Sequence, residues 1–180
     1  MLPQIRSATF LKRIVSVFAA TKEGPYDIND VEAHHLPFSK LRDHAASLVT
    51  LGMESFARQA PDVSFVHDFP GPVERGIARD MKGVTGFIVR TIFGPLFRPV
   101  LRALVFIPTE ESGSYHLFFS TSARYPANVS SADTAGITVN KNLDVVKGTD
   151  GKDGSGMYSI DERGELEISA NYKSFETKGL

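Results

Sequence analysis

The sequence predicts an α/β fold built around a small parallel sheet. Two continuous apolar segments rich in β-branched residues, IVSVFAA at 14–20 and VSFVHDF at 63–69, are typical of strands buried on both faces of such a sheet. Residues 42–60 between them carry apolar side chains at helical spacing. A strand, a helix of this length and a second strand make a right-handed crossover between parallel strands the expected connection.

The first strand is separated from the helix by a loop at 21–39, where Gly24-Pro25 and Pro37 indicate turns. The predicted helix uses a core-facing set that recurs every three or four residues: Ala45, Leu48, Leu51 (or Gly52), Ser55 and Phe56. We expect the helix to end before Pro61, because proline disfavours helical geometry in the residue that precedes it.

The segment 82–107 is the longest apolar stretch of the chain. Its apolar side chains repeat every four residues, as Val84, Ile88, Ile92, Leu96, Val100 and Leu104. Gly94-Pro95 and Pro99 must kink or break a helix, so the pattern predicts two helical pieces. Arg90, Arg98 and Arg102 interrupt the apolar run, and a membrane span of about 20 apolar residues is therefore not expected.

The last third of the chain has fewer regular elements. A helix is expected over 109–122, where a threonine cap is followed by two acidic residues in the first turn. Residues 126–156 are predicted to be mostly irregular and 157–160 to form a short strand. We expect 1–161 to form one domain and 162–180 a polar tail.

Composition excludes several function classes. The formal net charge is −1 and no basic cluster is present, so no nucleic-acid partner is expected. Cysteine is absent, which excludes a disulfide scaffold, cysteine-ligated zinc, iron–sulfur clusters and thiol catalysis. The lack of cysteine is compatible with a reducing compartment, and we expect a cytoplasmic protein.

The N-terminal segment at 1–22 has two interpretations. Its basic and hydroxyl residues, with no acidic residue before Glu23, resemble a transit peptide, and IVSVFAA resembles the apolar core of a short signal. The same residues also suit a helix end followed by a buried strand. We favour the second interpretation, because the apolar run is short for a signal and the α/β pattern continues without a break.

Several histidines stand beside acidic residues. A loop carries His34 and His35 near Asp27, Asp30 and Glu32. Adjacent histidines splay apart, so we expect solvated loop residues rather than a metal site. Asp43 and His44 are placed in the first turn of the helix at 42–60, where an acid is favourable.

The pair His67 and Asp68 ends the second predicted strand. Adjacent strand residues face opposite sides of a sheet, so the two side chains cannot act together on one substrate. Either of them alone could line a pocket.

Other chemical signatures are weak. Gly148–Gly156 is glycine-rich, but the flanking residues do not supply the strand and helix that a dinucleotide loop requires, so we expect a glycine turn ahead of a strand. A calcium loop is excluded because Lys152 and Gly154 occupy ligand positions. No G-x-S-x-G elbow is present. The arginines of 82–107 suit either a solvated helix face or an amphipathic membrane-surface helix.

Taken as a run of segments, 1–161 resembles the C-terminal half of the short-chain dehydrogenase/reductases. RIVSVFAA is similar to the fifth strand of that family, and RDHAASLVTLGMESFARQAPDVSFVHDFPGPV is similar to its catalytic helix, sixth strand and proline-glycine turn. SARYP and GTDGKDGSGMYSID resemble a divergent fungal branch associated in part with secondary metabolism. The resemblance implies a partial Rossmann-type three-layer fold, C-terminal half only, and an NAD(P)-dependent oxidoreductase acting on a carbonyl or alcohol.

The resemblance also implies a cofactor contact. In the family, the proline-glycine turn after strand six lies beside the nicotinamide, and Pro70, Gly71 and Val73 occupy the matching positions. The family often has a threonine two residues after that valine, and this sequence has Arg75 instead. The cofactor expected from the resemblance is NAD(P).

The catalytic residues of the family have no counterparts. None of the five tyrosines is followed by a lysine four residues later. Arg42 and Ala46 match the catalytic tyrosine and lysine, and Phe18-Ala19 match the serine. We therefore predict no catalytic residue of the standard kind.

No strand with a glycine fingerprint precedes the first predicted strand, and we expect a truncated domain. Without its usual neighbour, 14–20 becomes an open apolar strand edge prone to pairing, so we expect poor solubility, self-association or a partner strand. Three hypotheses stay open: an oxidoreductase, a non-catalytic Rossmann-type remnant, and a small-molecule or membrane-surface binding module that uses 84–107.

Overall fold

The structure is a computed structural model, and it describes residues 2–73, 83, 87, 91, 106–131, 135–138 and 144–165. The predictions for most of 82–107, including Arg90, Arg98 and Arg102, concern residues outside this set. The tail beyond residue 165 also lies outside it.

The described part of the chain contains three helices and three strands. In chain order these are α1 (Leu2–Arg6), β1 (Arg13–Val17), α2 (Phe38–Gln59), β2 (Ser64–Asp68), α3 (Thr109–Thr121) and β3 (Met157–Ile160). The N-terminal segment is thus a helix followed by a strand, as the favoured interpretation required. The bounds of β3 match the prediction, and Glu110 and Glu111 lie in the first turn of α3.

The strands form an open parallel sheet in the order β1-β2-β3. Arg13 is paired with Ser64 and Val17 with Asp68, and Asp68 is paired in turn with Ile160. This confirms the predicted parallel connection, and the fold is α/β, consistent with a partial Rossmann-type architecture.

The central position of β2 explains its burial. All five residues of β2 are buried, whereas those of β1 are half-buried or exposed. The prediction that the first strand is buried on both faces is therefore wrong, because β1 lies at a sheet edge. Within the described residues β1 pairs with β2 alone, so the predicted open edge is present.

The sheet separates two hydrophobic clusters, and successive residues of β2 belong to different ones. Val66 belongs to the first and Phe65 to the second. The first cluster also contains Phe119, Tyr125, Val146, Tyr158 and Ile160. The second also contains Met53, Ala60, Val63 and Met157. Apolar burial of this kind stabilises a fold by about 25 cal/mol per Å².

Helix α2 begins earlier and turns a different face inward than its sequence pattern predicts. Of the predicted core set, only Leu51 is buried, and Phe56 is 50% exposed. The buried face instead carries the polar residues His44, Ser47, Thr50 and Glu54. Because the helix starts at Phe38, Asp43 lies in its second turn, and the first-turn placement of Asp43 is wrong.

The chain divides into two compact units. The first consists of 1–70 and 115–180, and the second of 71–114. In the second unit, Val73 forms a parallel bridge with Ile107, whose amide donates to the Pro72 carbonyl at 3.0 Å. None of the helices within the described ranges has the length and apolarity that crossing a membrane requires.

Candidate functional site

The carboxyl ends of the three strands lie at one edge of the sheet. Because the strands are parallel and Val17, Asp68 and Ile160 are in register, the segments that follow them start side by side. In open α/β sheets, ligands bind beyond these carboxyl ends. The residues that leave β1 and end β2 therefore form the candidate site.

A buried carboxylate organises this edge. Glu23, in the loop after β1, accepts hydrogen bonds at Oε1 from the hydroxyls of Thr50 at 2.7 Å and Ser159 at 2.6 Å. His67 Nδ1 lies 2.7 Å from Thr50 Oγ1 and 3.7 Å from Glu23 Oε1. The backbone amide of Thr21 donates to Ser159 Oγ at 3.0 Å. The Glu23 cluster, meaning Thr21, Glu23, Thr50, His67 and Ser159, thus joins the loop, α2, β2 and β3.

The carboxyl group of Glu23 is ionised, and some buried polar atoms of the Glu23 cluster lack a hydrogen-bond partner. Burial raises the pKa of Glu23, but the nearby His67 imidazole and the hydrogen bonds from Ser159 and Thr50 outweigh that effect and hold the pKa below its usual value. Within the described structure, Thr21 Oγ1, Glu23 Oε2 and His67 Nε2 are buried without a hydrogen-bond partner. Buried polar atoms of this kind are rare in native proteins.

Two further side chains of α2 hold the same loop. Ser47 Oγ donates to the Gly24 carbonyl at 2.7 Å and accepts from the Gly24 amide at 3.0 Å. One turn earlier, His44 Nδ1 accepts from the Asp27 amide at 3.2 Å, and its Nε2 lies 3.1 Å from the Val31 carbonyl. These contacts explain why polar side chains occupy the buried face of α2.

On the opposite face of the sheet, Asp68 meets a histidine of α3. His116 Nε2 lies 2.8 Å from Asp68 Oδ2, and Asp68 is fully buried. Burial raises the pKa of Asp68 to about 6; His116 opposes the rise, and Asp161 and Glu162 add to it. His67 and Asp68 therefore act on different faces, as the alternation of a strand requires.

The predicted cofactor residues follow β2. Pro70 ends the first unit, two residues after the strand. Gly71 has φ 69°, a conformation that favours glycine, and its carbonyl accepts from the Val73 amide at 3.0 Å. Their contact with a cofactor stays a prediction.

The structure describes the residues that the resemblance aligns with the family's catalytic positions. Arg42 is exposed and its guanidinium bonds Asp43 at 2.8 Å. Ala46 is fully buried. Phe18 is 43% exposed, and its ring is stacked on the His67 imidazole with 6.3 Å between centroids.

The remaining predicted sites have simple structural explanations. The Asp30 carboxylate accepts hydrogen bonds from the backbone amides of His34 and His35. In the same exposed loop, His34 Nε2 lies 2.6 Å from Glu32 Oε2. Across the described ranges, no group of three or more His, Cys, Asp or Glu side chains could hold a metal. The glycine-rich segment at 148–156 precedes β3, as predicted.

A cavity of about 220 Å³ lies at the other end of the sheet, where β3 begins. Its walls include Glu54, Arg58, Thr149, Lys152 and Met157. It is separate from the carboxyl edge that the parallel topology marks as the ligand side.

Neither a protein-family model nor a solved structure matches the sequence. The sequence is 30% identical over 171 residues to Oxidoreductase AN1596 of Emericella nidulans, in an alignment that covers 94% of this chain and 49% of that protein. It is also 30% identical over 171 residues to Oxidoreductase andH of Emericella variicolor, covering 91% of this chain and 47% of that protein.

The chain is similar to two fungal proteins that are named oxidoreductases. It spans about half the length of the two curated relatives that it matches.

Sequence reasoning missed Glu23, Thr50 and Ser159. Each lies in a different segment, and only the folded chain brings them together. The available signal was the spacing of His44, Ser47 and Thr50, which recur every three residues along α2 and so share a face.

Proposed function

We propose that this chain is a short-chain dehydrogenase/reductase-type protein that takes part in NAD(P)-dependent interconversion of a carbonyl and an alcohol. The observation that carries the proposal is the proline-glycine turn directly after the central strand of a parallel sheet, in a chain related to two proteins named as oxidoreductases. A role in fungal secondary metabolism is part of the proposal, by resemblance to a fungal branch of the family.

The backbone of the turn after β2 supports the proposed nicotinamide contact. Gly71 has no side chain and a positive φ, so its backbone can approach a flat ring closely. Pro70 has no backbone N–H group, so it places no competing hydrogen-bond donor beside the nicotinamide ring. Pro70, Gly71 and Val73 would hold the nicotinamide end of NAD(P), which supplies the hydride donor or acceptor when bound.

A non-catalytic role is the second candidate. Arg42, Ala46 and Phe18 occupy the positions of the family's tyrosine, lysine and serine, and none of the three can exchange a proton in their manner. A chain of this kind would keep the fold without turnover.

Titration of the purified chain with NADPH and NADH, followed by fluorescence and by melting temperature, tests the first candidate. We expect dissociation constants in the micromolar range, which correspond to about 8 kcal/mol. Gly71→Val should weaken binding, because a β-branched residue is strained at positive φ. Gly151→Val is the matched control, since Gly151 also has a positive φ but lies in the loop before β3. Absence of binding by wild type would contradict the proposal, and binding without turnover would favour the second candidate.

A further inference from the structure

We propose that His67, Thr50 and Glu23 form a buried proton relay, in which His67 Nε2 is the atom that exchanges a proton with the substrate oxygen. The inference rests on the proposed function, because it supplies the acid–base group that Arg42, Ala46 and Phe18 cannot provide.

The hydrogen bonds assign the direction of the relay. Thr50 has one hydroxyl proton, and it donates this proton to Glu23 Oε1 at 2.7 Å, since an ionised carboxylate can only accept. Thr50 Oγ1 must therefore act as the acceptor for His67 Nδ1, 2.7 Å away. A neutral imidazole has one N–H, so the proton lies on Nδ1 and the lone pair on Nε2.

Two buried polar atoms of the Glu23 cluster, one on His67 and one on Glu23, could form hydrogen bonds with a ligand. His67 is fully buried and Glu23 is 2% exposed, yet His67 Nε2 and Glu23 Oε2 have no partner within the described residues. A buried polar atom without a partner costs about 1–3 kcal/mol. A ligand oxygen at His67 Nε2 would remove that cost at the carboxyl edge of the sheet, where ligands bind in folds of this class.

Phe18 controls access to the imidazole. Its ring is nearly parallel to that of His67, with 8° between the planes, and is 43% exposed while the imidazole is fully buried. Phe18 thus covers one face of the buried ring, and its rotation would open the imidazole to solvent. Phe18 is a positioning residue in this account and exchanges no proton.

The proton balance is simple. When an alcohol is oxidised, its hydroxyl proton moves to His67 Nε2, its carbon gives up a hydride to NAD(P)⁺, and a C=O bond forms. The imidazolium that results is stabilised by Glu23, whose Oε1 lies 3.7 Å from Nδ1, and by the Thr50 bridge.

The charged group near the His67 ring is Glu23, which comes from the loop after β1. Helix α2 and strand β3 contribute the hydroxyls of Thr50 and Ser159. Asp68 and His116 face the other side of the sheet. Reduction of a carbonyl runs the same steps in reverse.

The tautomer of His67 tests the relay without any cofactor. Nitrogen-15 NMR of histidine-labelled protein, at a pH where the ring is neutral, should show the proton on Nδ1 of His67. In Thr50→Val the slowly exchanging Nδ1 proton should disappear, and in Thr50→Ser, which keeps the hydroxyl, it should persist. A proton on Nε2 in wild type would overturn the relay, as would an unchanged Nδ1 signal in Thr50→Val. If Thr50→Val does not fold, the wild-type tautomer still decides.

The role of Phe18 as a gate, meaning the side chain that covers the His67 ring, is tested by chemical modification. Diethyl pyrocarbonate acylates neutral imidazole, and mass spectrometry reports the rate at each histidine. Phe18→Ala should raise the rate at His67 several-fold and leave that of His34, whose side chain is 68% exposed, unchanged. Equal rates at His67 in the two proteins would overturn the gate.

Turnover separates this inference from the proposed function. If wild type reduces a carbonyl with NADPH, His67→Gln should lower kcat by about a hundredfold or more. Full activity in His67→Gln would overturn the relay and leave the oxidoreductase assignment intact. Failure of wild type to bind or oxidise NADPH would refute the proposed function and with it the catalytic role of His67, whatever the tautomer.

Discussion

Arg13 carries a half-buried cation that ties the edge strand to α3 and to the loops that follow it, and its loss should destabilise the fold. Its guanidinium donates to the carbonyls of Phe119 at 2.9 Å, Tyr125 at 2.5 Å and Ala135 at 3.3 Å, and its Nε to Ser64 Oγ at 3.3 Å. Burial lowers the pKa of Arg13 to about 10, with Tyr158 and Tyr125 opposing the effect. The charge is therefore partly removed from water.

Arg13→Met keeps the volume and removes every donor of the guanidinium. The carbonyls of Phe119 and Ala135 then lose their Arg13 donor, whereas the Tyr125 carbonyl keeps the Ser64 hydroxyl at 2.8 Å. Each buried carbonyl without a partner costs about 1–3 kcal/mol. Removing the desolvation cost of the cation offsets part of that loss. We expect the free energy of unfolding to fall by about 2–4 kcal/mol. Urea denaturation followed by far-UV circular dichroism measures the change.

A matched control distinguishes burial from charge. Arg6→Met removes a cation of the same type that pairs with Asp62 at 2.9 Å, but the Arg6 side chain is 50% exposed. Its loss should cost about 1 kcal/mol or less. Arg13→Lys should be intermediate, because one ammonium cannot reach three carbonyls. Equal stability of Arg13→Met and Arg6→Met, at unchanged denaturant slope, would refute this account of Arg13.

Three further changes have expected outcomes. Folding raises the pKa of Asp68 from 3.8 to about 6, so the stabilisation from its protonated form is present below pH 3.8 and is lost as the pH rises through about 6. The free energy of unfolding should fall by at most about 3 kcal/mol over that range. Urea denaturation across the same range should show no such fall in Asp68→Asn. Gly148→Ala would bring a Cβ to 1.8 Å from Ser155 Oγ and 2.6 Å from the Met157 carbonyl, so the melting temperature should fall. Gly113→Ala has open space at its Cβ and should leave the melting temperature unchanged or raise it. Similar melting temperatures of the two variants would contradict this packing. Val17→Lys places a charge on the exposed end of the edge strand and should reduce any self-association that light scattering detects in wild type; association that is insensitive to this change would exclude the β1 edge as the contact.

The parallel sheet could be predicted from the sequence because its first two strands have a distinctive amino-acid composition. The segments at 14–20 and 63–69 are apolar and β-branched, and a helix of 22 residues between them leaves little choice but a parallel pair. The half-burial of β1 was missed when the segment was considered alone.

The face of α2 could not be predicted because its burial depends on a partner that the sequence does not mark. His44, Ser47 and Thr50 are buried only because the loop after β1 meets their hydrogen-bonding groups. Glu23 was unpredictable for the same reason, since an isolated glutamate in a polar loop is normally solvated. Buried polar networks are set by tertiary contacts between distant segments, and hydrophobic periodicity contains no signal for them.

The most direct test of the account is to map where NADPH binds on the isotope-labelled chain by backbone NMR shift changes. The shift changes should cluster at the carboxyl edge of the sheet, in 18–23 and in 67–71. Shift changes confined to the cavity beside Arg58 and Thr149 at the opposite end, or no changes at saturating NADPH, would contradict the claim that this edge is the site of an NAD(P)-dependent oxidoreductase.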